Sequence, residues 1–367
     1  MGIDLSSIAA GTGGFVINGQ CAQDWAGYSV ASTGDVNGDG LDDLIVGTRS
    51  IYGADRAYVV FGKTGSTSVD LSAVASGNGG FVVIGACGGD SAGESVAVAG
   101  ALNGHGLGDL IIGAHRASPN FHGNAGRTYV VFGKTGTGVV DLADLGAGGF
   151  VVNGHCTGDV SGRSVAAGGD VNGDGLADLI IGAMYGDAGA VNSGRSFVVF
   201  GGIAGPAVEL SAIASGNGGF AINGQESGDR SGGSVAGAGD VNGDGLSDLI
   251  VGAYLADTAS GNYAGRCYVV FGKTTGAAID PSAIANGIGG FVINGQCSDD
   301  WSGASVAGLG DVNGDGLADL AIGASKSDPA GISWAGRSYV VFGKAGTAPV
   351  DLSAVAASTG GFVINGQ

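Results

Sequence analysis

The sequence predicts an all-β fold: a β-propeller of four-stranded blades, with five repeats visible and a duplicated terminal strand. Three observations predict it. Gly-Gly-Phe recurs with Phe at 15, 81, 150, 220, 291 and 362, at spacings of 66 to 71 residues, so one structural unit is copied along the chain. Each unit holds four short apolar runs punctuated by Gly, Asn and Asp turn signals. Those runs are continuously apolar rather than alternating, which is the pattern of strands covered on both faces. Sheets stacked face to face about an axis give that cover. A linear solenoid of the same units is the competing arrangement. The small-residue strand favours the propeller, whose innermost strands crowd the axis.

The first unit shows the order of elements. Phe15-Val16-Ile17-Asn18 is an apolar strand, and the loop after it carries an Asp, at 24, 90, 159, 229 and 300 in the five units. Ser29-Val30-Ala31 is the small strand. An Asp-rich loop leads into a buried strand, Asp43-Leu44-Ile45-Val46-Gly47. A loop of variable length and sequence precedes Tyr58-Val59-Val60-Phe61-Gly62. An Asp-Leu-Ser-Ala-Val-Ala segment closes the unit as one helical turn capped by Asp70. The units run over 13–78, 79–147, 148–217, 218–288 and 289–359, with a terminal strand at 360–367, in a single domain over 1–367.

Composition narrows the function. Gly is 80 of 367 residues without a Gly-X-Y period, which excludes collagen, and the 44% hydrophobic content excludes disorder. A formal charge of -19 argues against nucleic acid or an anionic membrane as partner. No run of 18 apolar residues spans a membrane. Met1 to Ser6 shows no basic-then-apolar leader and so no visible signal peptide; it fits the loose myristoylation pattern, but Ile3-Asp4-Leu5-Ser6 is repeat sequence, matching Val350-Asp351-Leu352-Ser353. Five cysteines, Cys21, Cys87, Cys156, Cys267 and Cys297, are read as buried free thiols, because equivalent positions on successive units lie too far apart to pair. No CxxC or Cys/His metal cluster is visible.

The Asp-rich loop is the strongest functional signal. Counted from Asp35, positions 1, 3, 5 and 9 are Asp35, Asn37, Asp39 and Asp43, position 6 is Gly40 and position 7 is Leu41. Alternating oxygen side chains with a glycine at position 6 match the first half of an EF-hand loop, with the Leu41 carbonyl as a further donor and its side chain turned to the core. The donors are hard oxygens, which suit Ca²⁺ better than Zn²⁺ or Mg²⁺. The pattern returns as Asp170, Asn172, Asp174, Leu176 and Asp178; as Asp240, Asn242, Asp244, Leu246 and Asp248; and as Asp311, Asn313, Asp315, Leu317 and Asp319. A solvated acidic turn explains one copy but not four. The second unit reads Ala101-Leu102-Asn103-Gly104-His105-Gly106-Leu107-Gly108-Asp109 and loses the carboxylates of positions 1 and 5, so no ion is expected there. About four Ca²⁺ per chain would bring the charge from -19 to about -11.

These Asp-x-Asn-Gly-Asp-Gly-x-x-Asp loops, the Gly-Ala pairs at 113–114, 182–183, 252–253 and 323–324, and the Phe-Gly pairs at Phe61, Phe132, Phe200, Phe271 and Phe342 resemble the FG-GAP repeat of integrin alpha-subunit propellers over nearly the whole chain. Similar repeats occur in large bacterial surface proteins, in a fungal lectin and beside a phospholipase catalytic domain. The resemblance implies a calcium-stabilised propeller acting outside the cell or at its surface in adhesion or ligand binding. Integrin-type propellers have seven blades, whereas five Asp-loop units stand here. For the spare Gly-Gly-Phe strand, with residues 3–20 duplicating 350–367, three explanations compete: the chain is cut or engineered from a longer array, which is the favoured reading, or the strand caps an edge, or it pairs with another copy.

No catalytic constellation stands out. Gly-Lys-Thr at 62–64, 133–135 and 272–274 lacks the first Walker glycine and follows a strand, so these are hairpin turns. The four histidines, His105, His115, His122 and His155, do not recur, and Gly-x-Ser-x-Gly is absent. The main departure from the repeat is the second unit with its loop from His115 to His122, the best place for an asymmetric function. Trp25, Trp301, Trp334, Tyr28, Tyr52, Tyr185, Tyr254 and Tyr263 fall in or near loops, where they pack between blades or meet a ligand. The expected function is therefore a non-catalytic, calcium-binding module that takes a protein or glycan ligand on its variable loops. A lectin with sugar sites between blades is the alternative, and a propeller-based hydrolase or lyase the third reading.

Overall fold

The computed structural model describes residues 4–49, 55–100, 102–203 and 205–367. The chain forms a β-propeller of five four-stranded antiparallel blades packed in series. Blade 1 runs from its inner to its outer strand as Ser29–Gly34, Asp43–Gly47, Arg56–Val60 and Gly80–Ile84. Blade 2 is Ser95–Gly100, Asp109–Ala114, Arg127–Val131 and Gly149–Asn153; blade 3 is Ser164–Gly169, Asp178–Ala183, Arg195–Val199 and Gly219–Asn223. Blade 4 is Ser234–Gly239, Asp248–Ala253, Arg266–Val270 and Gly290–Asn294, and blade 5 is Ser302–Gly310, Asp319–Ala324, Arg337–Val341 and Gly361–Asn365.

Blade and covalent repeat are out of step by one strand. Gly80–Ile84 heads the second repeat but pairs with Arg56–Val60 of the first, with Tyr58 opposite Val82. A sequence period carries no phase, so this stagger was not legible. It ties every blade to the next repeat through the chain itself.

The strands are buried as their composition demands. The second strands of blades 2, 3 and 4 are buried along their whole length. The cores lie between blades. Val36, Ile45, Val59 and Phe81 of blade 1 meet Val96, Leu110, Ile112 and Tyr129 of blade 2, and the same pattern repeats at the next three joints. The second glycine of Gly-Gly-Phe starts each outer strand under a steric constraint. At Gly80, φ is 152° and a Cβ would lie 1.9 Å from the Val59 carbonyl oxygen, a position only glycine tolerates.

A short parallel strand from the next repeat edges several blades, as Val140–Asp141 does beside Val83 and Ile84. Helical turns follow at Leu71–Ala75, Leu210–Ala214, Pro281–Ala285 and Leu352–Ala356, each burying two apolar residues. Asp70 sits at the N-cap as expected, but its carboxylate does not cap; it accepts the Asn18 side-chain amide at 2.9 Å instead. Asp280 does cap, accepting the Ser282 N–H. The cysteines correct the sequence reading. Only Cys267, on a third strand, is buried, while Cys21, Cys87, Cys156 and Cys297 are exposed, because the residue after each outer strand already belongs to a turn. None of the helices among the described residues is long and apolar enough to cross a membrane.

Candidate metal loops and the opposite loop end

An antiparallel blade sends its loops alternately to two ends. The Asp-rich loops join inner to second strands at one end; the variable loops and the outer-to-inner connections share the other.

In blade 1, Asp35 Oδ1 accepts the N–H of Gly38 at 2.6 Å and of Asp39 at 3.1 Å, and its Oδ2 accepts Gly40 N–H at 2.8 Å. Asn37 Oδ1 accepts Asp39 N–H at 2.8 Å, Asn37 Nδ2 donates to Asp39 Oδ2 at 2.9 Å, and Asp39 Oδ1 accepts Leu41 N–H at 2.9 Å. Positions 1, 3 and 5 are thus tied into one turn, in which Gly38 and Gly40 take positive φ. The same bonds recur around Asp170, Asp240 and Asp311. Position 9 lies deeper. Asp43 is fully buried, with Oδ2 accepting Val36 N–H at 3.0 Å and Oδ1 accepting Gly62 N–H at 2.7 Å. Each of these oxygens keeps a second lone pair.

The electrostatics run in opposite directions within one loop. Backbone donors, led by Gly40, hold the Asp35 carboxyl below its ordinary range. Burial pushes Asp43 up, Asp178 up to about 6 and Asp248 up to about 7, and the nearby carboxylates of positions 5 and 1 add to the push. The side-chain donors are all oxygens, with no Cys or His in these four loops, so the set fits a hard divalent cation. The leucine at position 7 departs from expectation. Leu41 is exposed, and the later leucines are half-buried against the preceding loop: Leu246 and Leu317 close over Gly173 and Gly243.

The second unit keeps the buried end of this arrangement and part of the turn, in which Asn103 Oδ1 accepts His105 N–H at 3.1 Å and His105 Nδ1 accepts Leu107 N–H at 3.2 Å. Asp109 accepts Leu102 N–H at 2.8 Å and Gly133 N–H at 2.9 Å, as Asp43 does for its counterparts. His105 Nε2 lies 3.7 Å from Asp109, and its ring meets Phe132 edge to face. Position 1, Ala101, lies outside the described residues.

At the other end three blades contribute one polar cluster. Glu94, buried before the inner strand of blade 2, receives Arg49 Nε of blade 1 at 3.2 Å and Arg163 Nη1 of blade 3 at 3.7 Å. His115, after the second strand of blade 2, is buried beside them. Burial first, then Arg163, Arg116 and Arg49, lower its pKa to about 4, so it is neutral at pH 7. The sequence pointed to this loop but not to its partners, which sit at non-equivalent places in three repeats. The linkage has a definite sign. With 6.5 unfolded and about 4 folded, the contribution of His115 is full above pH 6.5 and drains as pH falls towards 4, because only the unfolded chain takes up the proton in that window. At pH 5 the loss is about 2 kcal/mol. Urea unfolding of wild type and His115→Gln at pH 7 and pH 5 should show that difference; an identical acid response in both would remove His115 as its source.

The loop aromatics divide. Trp301 packs on Tyr254 at 5.4 Å, with Lys326 Nζ 3.4 Å above its ring. Trp334 is 71% exposed next to them, and Trp25 and Tyr263 are also exposed. Tyr28 stacks with Arg49, and Tyr185 with Arg230. Tyr52 lies outside the described residues. In the Gly-Lys-Thr turns the lysines lie over the Gly-Gly-Phe rings one blade back, Lys134 over Phe81 and Lys273 over Phe220 at 4.3 Å, which accounts for them without a phosphate.

Two features escaped the sequence reading. A polar seam joins neighbouring blades: Gln296 Oε1 accepts from Tyr339 Oη and Arg337 Nη1, and Arg337 Nε donates to Asn365. Where Ala86 replaces the glutamine, the Tyr129 hydroxyl has no partner. The second feature corrects the expectation of no Cys/His cluster. His155, Cys156 and Asp159 bring donor atoms within 4.8 Å of one another. The turn itself is the ordinary one, since Asp300 holds Cys297 N–H just as Asp159 holds Cys156 N–H, and only the histidine is new.

Blades packed in series with acidic loops at one end and variable loops at the other define a class, the repeat propeller with candidate cation loops. Comparison with known sequences gives the family. The FG-GAP repeat model matches residues 26–60, 161–199, 231–270 and 302–341, in the four units whose loops carry the full Asp pattern. Integrin alpha pat-2 of Caenorhabditis elegans is 32% identical over 252 residues, covering 66% of this chain and 18% of that protein. Integrin alpha-PS2 of Drosophila melanogaster is 34% identical over 184 residues, 49% of this chain and 12% of its own length. A phosphatidylinositol-glycan-specific phospholipase D of Bos taurus is 33% identical over 157 residues, 42% of this chain and 17% of that enzyme. The chain is an FG-GAP repeat protein with an integrin alpha-like propeller. It spans about a fifth or less of the length of these relatives.

Proposed function

We propose that the chain is a non-catalytic, calcium-stabilised propeller that works outside the cell or at its surface as an adhesion or ligand-binding module. The observation that carries this reading is the division of labour between its ends. Four near-identical oxygen-rich loops crowd one end, while the other holds unlike loops with exposed aromatics and the Arg49–Glu94–Arg163 cluster. Repetition marks scaffold, and variation marks recognition.

In each full loop the side chains of positions 1, 3, 5 and 9 and the carbonyl of position 7 would hold one ion, in blade 1 Asp35, Asn37, Asp39, Asp43 and Leu41. Calcium supplies charge neutralisation beside a buried strand. The chain's own residues fix the turn: the glycines bend it, and the position-9 carboxylate anchors it to two backbone amides. The integrin alpha relatives favour a protein ligand; the exposed tryptophans also suit the apolar face of a sugar.

The test is binding of the chain to an extracellular-matrix protein panel and a glycan array, in millimolar calcium and in EGTA. A protein or glycan that binds in calcium should be lost by about tenfold or more in Trp334→Ala, equivalent to about 1.4 kcal/mol or more. Its melting temperature should stay at the wild-type value, because Trp334 is mostly exposed. No binding on either panel, or binding indifferent to the variable-loop end, sinks the proposal.

A further inference from the structure

The turn between the outer strand of blade 2 and the inner strand of blade 3 differs from its counterparts at one side chain. Every unit places an Asp there, and four units place a Cys three residues before it: Cys21 and Asp24, Cys87 and Asp90, Cys156 and Asp159, Cys297 and Asp300. Only the third unit puts a histidine, His155, directly before the cysteine. Gln20, Gln225 and Gln296 hold that place in units 1, 4 and 5, and Ala86 holds it in unit 2.

His155 is free of the seam that employs the glutamines. Each Gln accepts from a third-strand tyrosine and an arginine: Gln20 from Tyr58 and Arg56, Gln225 from Tyr268 and Arg266, Gln296 from Tyr339 and Arg337. In the third unit the tyrosine is replaced by Phe197, which has no hydroxyl, and Arg195 lies over its ring. His155 Nδ1 is closed to solvent and has no hydrogen-bond partner among the described residues. The imidazole meets its own turn instead. A ring nitrogen of His155, Cys156 Sγ and a carboxylate oxygen of Asp159 lie within 4.8 Å of one another.

The surrounding backbone holds the three in place. Asp159 is buried, and its Oδ2 accepts Cys156 N–H at 3.2 Å, which leaves Oδ1 for a ligand. His122 Nδ1 donates to the His155 carbonyl at 3.0 Å. Gly158, Val160 and Ser161 donate their N–H groups to the carbonyls of Gly123, Asn124 and Ala125. The long loop of the second unit, the main departure from the repeat, thus clamps this turn.

We propose that His155, Cys156 and Asp159 form a binding site for one zinc ion, separate from the oxygen loops at the other end of the blades. The donor set decides the metal. Ca²⁺ takes oxygens, whereas nitrogen, thiolate and carboxylate together suit Zn²⁺. Ligand atoms on a tetrahedral zinc stand roughly 3 to 4 Å apart, so the cluster closes by about 1 Å to grip the ion. Cys156 is exposed, and rotation of its side chain supplies that movement. On binding, the thiol proton passes to solvent and Sγ becomes the thiolate ligand. Three protein ligands leave the fourth position to water. The inference rests neither on calcium nor on a ligand at the variable loops.

Titration of the full, reduced chain with Zn²⁺ in millimolar calcium tests it. Wild type should bind one Zn²⁺ that calcium does not displace, and Co²⁺ in its place should show a thiolate-to-cobalt charge-transfer band. His155→Gln installs the residue of units 1, 4 and 5. It should weaken zinc binding by more than the roughly tenfold to hundredfold that loss of an outer partner costs. Cys156→Ser should do the same and abolish the cobalt band. Cys297→Ser, in the same turn without a histidine, should bind as wild type does. Without zinc, all three variants should melt near wild type, because His155 is half-buried and both cysteines are exposed. Zinc uptake unchanged in His155→Gln, or lost in Cys297→Ser, overturns the proposal. So does a wild type that takes up no zinc in calcium, or cobalt bound without the thiolate band.

Discussion

Removing calcium should lower the melting temperature of this chain by about 4 to 9 °C, and calorimetric titration should count about four ions. The magnitude follows from linkage. Extracellular loops of this type bind at ~10⁻⁴–10⁻³ M, so about 2 mM calcium stabilises each site by about 0.7 to 1.8 kcal/mol. Four sites give about 3 to 7 kcal/mol, and a chain of 367 residues shifts by roughly 1.3 °C per kcal/mol. The count can be moved in both directions. Asp244→Ala should lower it by one, because Asp244 accepts Leu246 N–H and the Asn242 amide at the centre of its turn. Ala101→Asp combined with His105→Asp restores Asp, Asn, Asp and Asp at positions 1, 3, 5 and 9 of the second unit and should raise it by one. An unchanged count in both variants, or no shift in melting on chelation, would reduce the loops to acidic turns.

The repeat made most of the architecture readable. A strand that recurs five times with the same apolar letters can be placed from sequence, and the Asp loops announced their hydrogen-bonded turns because alternating oxygen side chains and glycines leave few other conformations. What stayed hidden depends on relations between repeats. The Gly-Gly-Phe strand pairs across a repeat boundary, as Tyr58 with Val82 shows, and a period cannot reveal its own phase. Val30 and Val235 are the same letter in the same context, yet one is exposed and the other buried, because burial depends on whether another blade lies in front. Glu94, Arg49 and Arg163 meet only through the curvature of the array. The exposed cysteines were misread because small residues beside an apolar run suit a turn as well as a core.

The ninth position of the loop does two separable jobs, and the second unit keeps them apart. Asp109 persists there although positions 1 and 5 have lost their carboxylates, and a metal alone would give no reason to keep it. Its geometry supplies one. Its oxygens accept Leu102 N–H and Gly133 N–H, and burial pushes its carboxyl up from the ordinary range. Asp109→Ala strands both donors at a fully buried site and should cost about 2 to 4 kcal/mol. Asp248→Ala removes the equivalent bonds, to Val241 N–H and Gly272 N–H, at a site that also has the full donor set. In EGTA the two variants should therefore be destabilised alike. In millimolar calcium the Asp248 variant should fall further behind wild type, while the deficit of the Asp109 variant stays constant. Denaturant unfolding of both proteins with and without calcium reads the difference directly. Equal calcium dependence in the two would mean that the second unit binds an ion after all. No loss in Asp109→Ala would mean that the buried amides find other partners and that the anchoring role of position 9 is wrong.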